Sequence, residues 1–367
     1  MAVKKYNPQI DVAKFLFSIV IILYHSNKLL SLDFHIFQYG YTAVEFFFMI
    51  TGYLMVCSSK KFDSSLPGKS TFTFTINKIK SFYLYFIIAF VVAFFARNLA
   101  FYLDKTLNLE KLFDNTVLSV NELLLLHTSG IDFGKIYNGP TWYLSAMIIA
   151  IMILFPIVLK FKDWITGCGG FLIAVFIFAI ISQTKGNLNT VAWWEFISLG
   201  VMRAIAGLSL GCFLFGLVER LNENNISLKA FPKFLLFLIE LALTAFLFFL
   251  MQIRGKSRFD FIALILIFII TFIVLSGLTT PANIKGKRFF GALGKFSLVG
   301  YLNHRSVIYL LNAVAPELSS DKTFLAYILG ILISCLFAEI LYRIITFLWK
   351  KLSPFIKRIT FATSQPS

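Results

Sequence analysis

Ten apolar stretches follow one another along the chain, at 10–30, 41–58, 79–102, 141–160, 168–183, 198–218, 232–252, 259–279, 296–314 and 324–349. A run of about 20 apolar residues, wound as an α-helix, crosses the hydrocarbon of a bilayer and satisfies its own backbone hydrogen bonds there. Only 14% of the 367 residues are charged and 58% are hydrophobic, too few charges to cover a water-soluble surface. The expected fold is therefore all-α, a polytopic membrane protein of about ten transmembrane helices. Eight of the nine prolines lie in loops, tails or span edges, and only Pro156 lies inside a span, as proline's cost within a helix requires. The first stretch is full length and has no small-residue cleavage site, so it reads as a retained span.

The charges give the orientation. With a cytoplasmic N-terminus, 20 of the 34 Lys and Arg residues fall on the inner side, ten fall on the outer side, and four (Lys14, Arg203, Arg305, Arg343) lie within spans. That bias places both termini in the cytoplasm. The expectation is a multi-pass protein of the cytoplasmic (plasma) membrane. Residues 1–352 form its transmembrane domain and 353–367 a polar cytoplasmic tail. The net charge of +16 then reads as topology and contact with anionic membrane lipid, not as a nucleic-acid surface. Four scattered cysteines without a CxxC pair, and four histidines without HExxH spacing, indicate no metal site.

Ionisable groups inside spans are costly and mark function by default. Lys14 and His25 share the first span. Eleven residues at about 100° each bring them back to the same face, about 16.5 Å apart along the axis. Asp11 precedes Lys14 by one turn. Glu45 enters the second span from the outer side and can be level with His25, where a carboxylate orients an imidazole base. Glu45 pairing with Arg203 or Arg305 is the plain alternative. The fourth span opens with Trp142, Tyr143 and Ser145 at outer depth. The sixth brings in Arg203, and the ninth Tyr301, His304 and Arg305. Six such groups on five helices imply a polar cavity in the outer half. Gly207 and Gly211, at GxxxG spacing, read as helix packing. A base near the outer face suits activation of an acceptor hydroxyl, and a cation near the inner face suits a phosphorylated donor such as acyl-CoA.

These residues also stand in familiar strings. Asp11-Val-Ala-Lys14, followed after ten residues by His25, resembles the first-helix signature of the acyltransferase-3 family of integral-membrane O-acyltransferases, with Lys14 where Arg is usual. Glu45-Phe-Phe-Phe-Met-Ile-Thr51-Gly52 resembles its second-helix motif. Thr141-Trp142-Tyr143-Leu144-Ser145 is similar to its fourth-helix motif. Arg203 before a Gly-rich span and Ser297-Leu-Val-Gly300-Tyr301-Leu302-Asn-His304 are similar to two later ones. The resemblance implies transfer of an acetyl or other acyl group from acetyl-CoA (acyl-CoA, a co-substrate) to a hydroxyl of a cell-surface polysaccharide or lipid-linked glycan. It implies His25 as catalytic base, helped by Glu45 and His304. Lys14 and Asp11 would sit at the CoA phosphates, and Trp142, Tyr143, Ser145, Arg203, Tyr301 and Arg305 at the glycan or glycolipid acceptor. Many relatives carry an extracytoplasmic hydrolase-like domain, so this chain either completes transfer itself or passes acyl groups to a separate extracytoplasmic transferase partner. A lipid-linked glycan flippase or proton-coupled transporter is the alternative, with His25, Glu45 and His304 as a proton relay; the absence of inverted repeats counts against it. A third reading is a sensor that kept the fold and lost the chemistry, against which the retained His25 and Glu45 stand.

Overall fold

The protein is described by a computed structural model covering residues 7–131, 136–253, 258–280 and 286–362. It is a helix bundle. Helix α1 (Pro8–Leu29) starts at Asn7, whose side chain accepts the amide of Gln9 at 3.1 Å, with Pro8 in the first turn. Then come α2 (Val44–Ser59), α3 (Pro67–Leu103), the short loop helices α4 (Leu109–Leu118) and α5 (Val120–Leu123), and α6 (Trp142–Lys160). After α7 (Lys162–Trp164) a π-helical turn at Ile165–Gly169 leads into α8 (Gly170–Lys185). A two-strand hairpin, β1 (Trp193–Trp194) and β2 (Ile197–Ser198), precedes α9 (Leu199–Glu223), α10 (Ala230–Ile253), α11 (Phe259–Ser276), α12 (Lys287–Val314) and α13 (Ser320–Ala362). Residues 363–367 of the expected tail lie outside the described residues, as do Lys4, Lys5, Lys135, Arg254, Lys256 and Lys285 among the counted Lys and Arg.

Among the described residues, nine segments are long and apolar enough to cross a membrane. The remaining expected span, 296–314, lies within the 28-residue α12, which is too polar to count by composition. The polar side chains at its middle are shielded by protein. Asn303, His304 and Ser306 are buried where α12 packs among α1, α3 and α13. A bundle-facing polar helix is tolerated at membrane depth because neighbouring helices, not hydrocarbon, surround it. The chain departs from expectation in span five, where the π turn and a non-helical Gly167 interrupt the helix.

Helices α1 and α12 run in parallel. A Cβ on Gly294 would meet the Asp11 carboxylate, the Ser297 hydroxyl donates to the Lys14 carbonyl at 2.9 Å, and the rings of His25 and His304 lie 5.1 Å apart. Helix α13 runs back. Gly330 sits on Val307, and Lys295 pairs with Glu339 at 2.6 Å. Asp11, Lys295 and Glu339 therefore gather at one end of the bundle. The start of α1 and the late part of α13 share that end, as an even number of crossings requires.

The centre belongs to α9, 83% buried over its apolar window, whereas α10 is 11% buried and lies at the periphery. Two glycines let α9 touch α2 backbone to backbone. A Cβ on Gly52 would stand 2.0 Å from the Leu208 carbonyl oxygen, and one on Gly211 would stand 2.1 Å from that of Met49. No other residue fits either place. This close crossing brings Glu45 of α2 against Arg203 of α9.

Candidate active site

Two of the cavities between the helices carry polar candidates. The first, about 240 Å³, has Lys14 of α1 and Lys78 of α3 in its wall, with Thr51, Ser81, Tyr143 and Ser297. The second, about 260 Å³, is lined by His25 and Tyr24 of α1, Tyr41, Trp142, Arg203, Arg305 and the loop residues Asn189 and Thr190. Ile21, Val44 and Tyr301 line both, so the lysine chamber and the histidine chamber meet at these three side chains. Helix α1 is unbroken through this region. Lys14 and His25 thus stand about 16.5 Å apart along one helix face, one in each chamber.

The lysine chamber carries two ammonium groups against one acid. Asp11 holds Lys14 at 3.7 Å, and both are partly exposed. Lys78 was not among the residues picked out by sequence. It sits in a basic segment that reads as topology, and only the long α3, begun at Pro67, turns it toward Lys14. Tyr143 also lies here, edge-on to Tyr301 with ring centroids 6.0 Å apart. The Tyr301 hydroxyl donates to the Pro140 carbonyl, which fixes the ring between the chambers.

Behind the wall of the histidine chamber, Glu45 engages Arg203. Arg203 Nε donates to Glu45 Oε1 at 2.7 Å, and both side chains are buried. Glu45 Oε2 has no hydrogen-bond partner. The guanidinium also reaches the carbonyls of Thr190 at 3.5 Å and Tyr41 at 3.3 Å, and lies 5.1 Å over the Trp142 ring. Three elements and a loop are thereby tied through one side chain. Two rings flank His25: Tyr24 edge-on at 5.0 Å and His304, tilted by 32°, at 5.1 Å. His304 is fully buried, and its Nδ1 lies 2.6 Å from the Tyr301 carbonyl oxygen. A carbonyl only accepts, so Nδ1 carries the hydrogen. Nε2 of the neutral ring then keeps its lone pair, and no group in the protein engages it. Arg305 donates from Nε to Tyr309 at 2.9 Å.

Asp260, at the start of α11, is a further buried acid that the sequence reading did not single out. It accepts from the Tyr41 hydroxyl at 2.9 Å and from the Leu188 amide at 2.6 Å. It so holds the loop that presents Asn189 and Thr190 to the chamber. Asn189 in turn donates to the Tyr24 hydroxyl at 3.1 Å. Glu122 does the same for the segment before α6. It accepts from the amides of Tyr137 at 2.6 Å and Asn138 at 3.1 Å, and from the Thr141 hydroxyl at 2.9 Å. Burial raises its carboxyl above the usual range, and those three donors pull the other way.

Ser145 faces the outer loop, not a chamber. Its hydroxyl donates to the Leu125 carbonyl at 2.6 Å and lies 2.6 Å from the Thr128 hydroxyl. Ser145→Ala is accordingly expected to lower stability by about 1–2 kcal/mol, the cost of stranding buried partners. Turnover should stay within about twofold of native. A thermal melt in detergent beside an activity assay checks both, and a large rise in acceptor KM would return Ser145 to the substrate.

Of the residues quoted from the sequence motifs, Lys14, Thr51, Tyr143 and Ser297 line the lysine chamber, His25, Trp142 and Arg203 the histidine chamber, and Tyr301 both, whereas Asp11, Glu45, Ser145 and His304 line neither. A family model described as an acyltransferase domain, that of the acyltransferase-3 family, matches residues 7–343. The chain belongs to this family. No curated protein and no solved structure matches it. The protein is a multi-pass membrane acyltransferase. In this acyltransferase polar groups of α12, the least apolar of the long helices, sit against the face of α1 that carries Lys14 and His25.

Proposed function

We propose that this acyltransferase moves an acetyl or other acyl group from cytosolic acyl-CoA to a hydroxyl of a cell-surface polysaccharide or lipid-linked glycan. It sits in the plasma membrane with both termini cytoplasmic. The adjacency of a lysine chamber and a histidine chamber along one face of α1, with Ile21, Val44 and Tyr301 as their common wall, is the observation that supports this most. Lys14 and Lys78 attract the donor's phosphates at the inner end. A thioester arm then threads past Ile21, Val44 and Tyr301 and presents its carbonyl beside His25. His25 takes the proton of the acceptor hydroxyl as the new C–O bond forms. The C–S bond breaks, and His25 returns that proton to the departing thiolate, which leaves as the free thiol. His304 packs against His25, and its free Nε2 is available for the same proton. Glu45 acts through Arg203, which holds the chamber wall together. Direct transfer by this chain is favoured over hand-off to an extracytoplasmic partner, because base and acceptor space lie in one cavity.

The test uses purified protein in lipid vesicles with labelled acetyl-CoA. Label should pass to a glycan or glycolipid acceptor only when donor is present on the side of Lys14. Lys14→Met and Lys78→Met should each raise the KM for acetyl-CoA about tenfold, since a charge-assisted contact contributes about 1.5–3 kcal/mol. Lys14→Arg should stay near native. Transfer that does not depend on acetyl-CoA, or KM values unmoved in both methionine variants, would sink this assignment of donor and chamber.

A further inference from the structure

The histidine chamber holds one cation with no acid to balance it. Arg203 is neutralised by Glu45 at 2.7 Å. Arg305 pairs with no carboxylate among the described residues, and its one protein hydrogen bond is that of Nε to Tyr309 within its own helix. Both terminal nitrogens are left over. The guanidinium lies along the backbone at Gly139, where an added Cβ would stand 3.5 Å from Cζ and from Nη1. No acid lines the chamber. The nearby carboxylates are already engaged, Asp260 by Tyr41 and Leu188, and Glu122 by Tyr137, Asn138 and Thr141. A half-buried guanidinium on the wall of a polar cavity, its two terminal nitrogens without an acceptor among the described residues, presents both donors to an anion entering that cavity.

We infer that Arg305 docks an anionic group of the acceptor, a carboxylate or a phosphate, and so selects acidic acceptors over neutral ones. This rests on the reading of the histidine chamber as the acceptor site. The planar fork of Arg305 fits either anion through two parallel N–H donors. Asn189, Thr190 and the Tyr24 hydroxyl offer neutral polar contacts across the same cavity, suited to sugar hydroxyls. The anion on Arg305 fixes the register, and the hydroxyl beside His25 reacts.

The test is equilibrium binding to the protein in phosphatidylcholine nanodiscs. Three probes are titrated: a neutral gluco-oligosaccharide, its uronic-acid counterpart, and a polyprenyl phosphate. At least one acidic probe should bind the native protein tenfold or more tightly than the neutral one, and which one does so names the source of the anion. Arg305→Gln should remove that preference at an unchanged melting temperature, and Arg305→Lys should restore part of it. Equal binding of all three probes to native protein would overturn the inference, as would a preference that survives in Arg305→Gln. A loss of kcat in Arg305→Gln that is equal for acidic and neutral acceptors, with binding unmoved, would also overturn it, because the guanidinium would then serve the transition state. A preference that depends on Arg305, with no labelled acetyl transferred to any probe, keeps the anion site and removes acyl transfer instead.

Discussion

His25→Ala is expected to lower acyl transfer by about 10²–10⁴-fold, the usual loss on removing a positioned general base. The fold should survive the change. His25 is only half-buried and lies on the chamber face of α1, while Phe17, Val20, Ile21 and Tyr24 supply that helix's core contacts. The donor KM should hold within about threefold, because Lys14 and Lys78 line the other cavity. The rate loss and unchanged KM together distinguish a base from a residue that shapes the channel. Single-turnover transfer from labelled acetyl-CoA, run beside a thermal melt, measures all three. Retention of more than a tenth of native turnover would remove His25 as the base and turn attention to His304, whose Nε2 is free and whose ring lies 5.1 Å away.

Much of this site could be read from order and spacing along the chain. The helical repeat is enough to align Lys14 with His25, and an unbroken α1 realises that alignment. Depth counting placed Glu45, Arg203, His304 and Arg305 near one level because the spans alternate in direction. Partner choice was not legible. Glu45 had His25, Arg203 and Arg305 within plausible reach, and the contest is decided by Gly52 and Gly211, which pull α2 onto α9. Ser145 occupies a motif beside Trp142, yet helical rotation turns it toward Leu125 and Thr128. Lys78 was hidden for a different reason: lysines that set topology and lysines that line a cavity have the same composition. Asp260 and Glu122 hold loops through backbone amides, and a backbone partner leaves no mark in the sequence. Helix α12 starts before the expected span because its first turns, with Lys287, Arg288 and Lys295, are polar and exposed, and hydropathy does not register a helix that extends beyond its apolar stretch.

The Glu45–Arg203 pair carries the largest expected effect on stability. Arg203→Ala leaves a fully buried carboxylate without its cation, and strands the carbonyls of Tyr41 and Thr190. Breaking such a pair from one side costs about 3–5 kcal/mol. Arg203→Lys should recover only part of this. One ammonium cannot reach Glu45, two carbonyls and the face of Trp142 together, whereas the guanidinium does. Glu45→Gln should be milder than Arg203→Ala, because it retains an acceptor for Nε and removes a charge rather than isolating one. Replacing both residues, Glu45→Leu with Arg203→Leu, should be markedly more stable than Arg203→Ala alone, since no uncompensated charge then remains buried. The double variant should still be inactive: the Thr190 loop and Tyr41 lose their common tether, and both line the chamber that contains His25. Melting temperatures in detergent for the four variants, with transfer assays on each, test the cycle. A double variant no more stable than Arg203→Ala would show that the three-way tether, rather than charge balance, dominates. A double variant with native turnover would show that the pair serves the fold alone and that the geometry of the chamber does not depend on it.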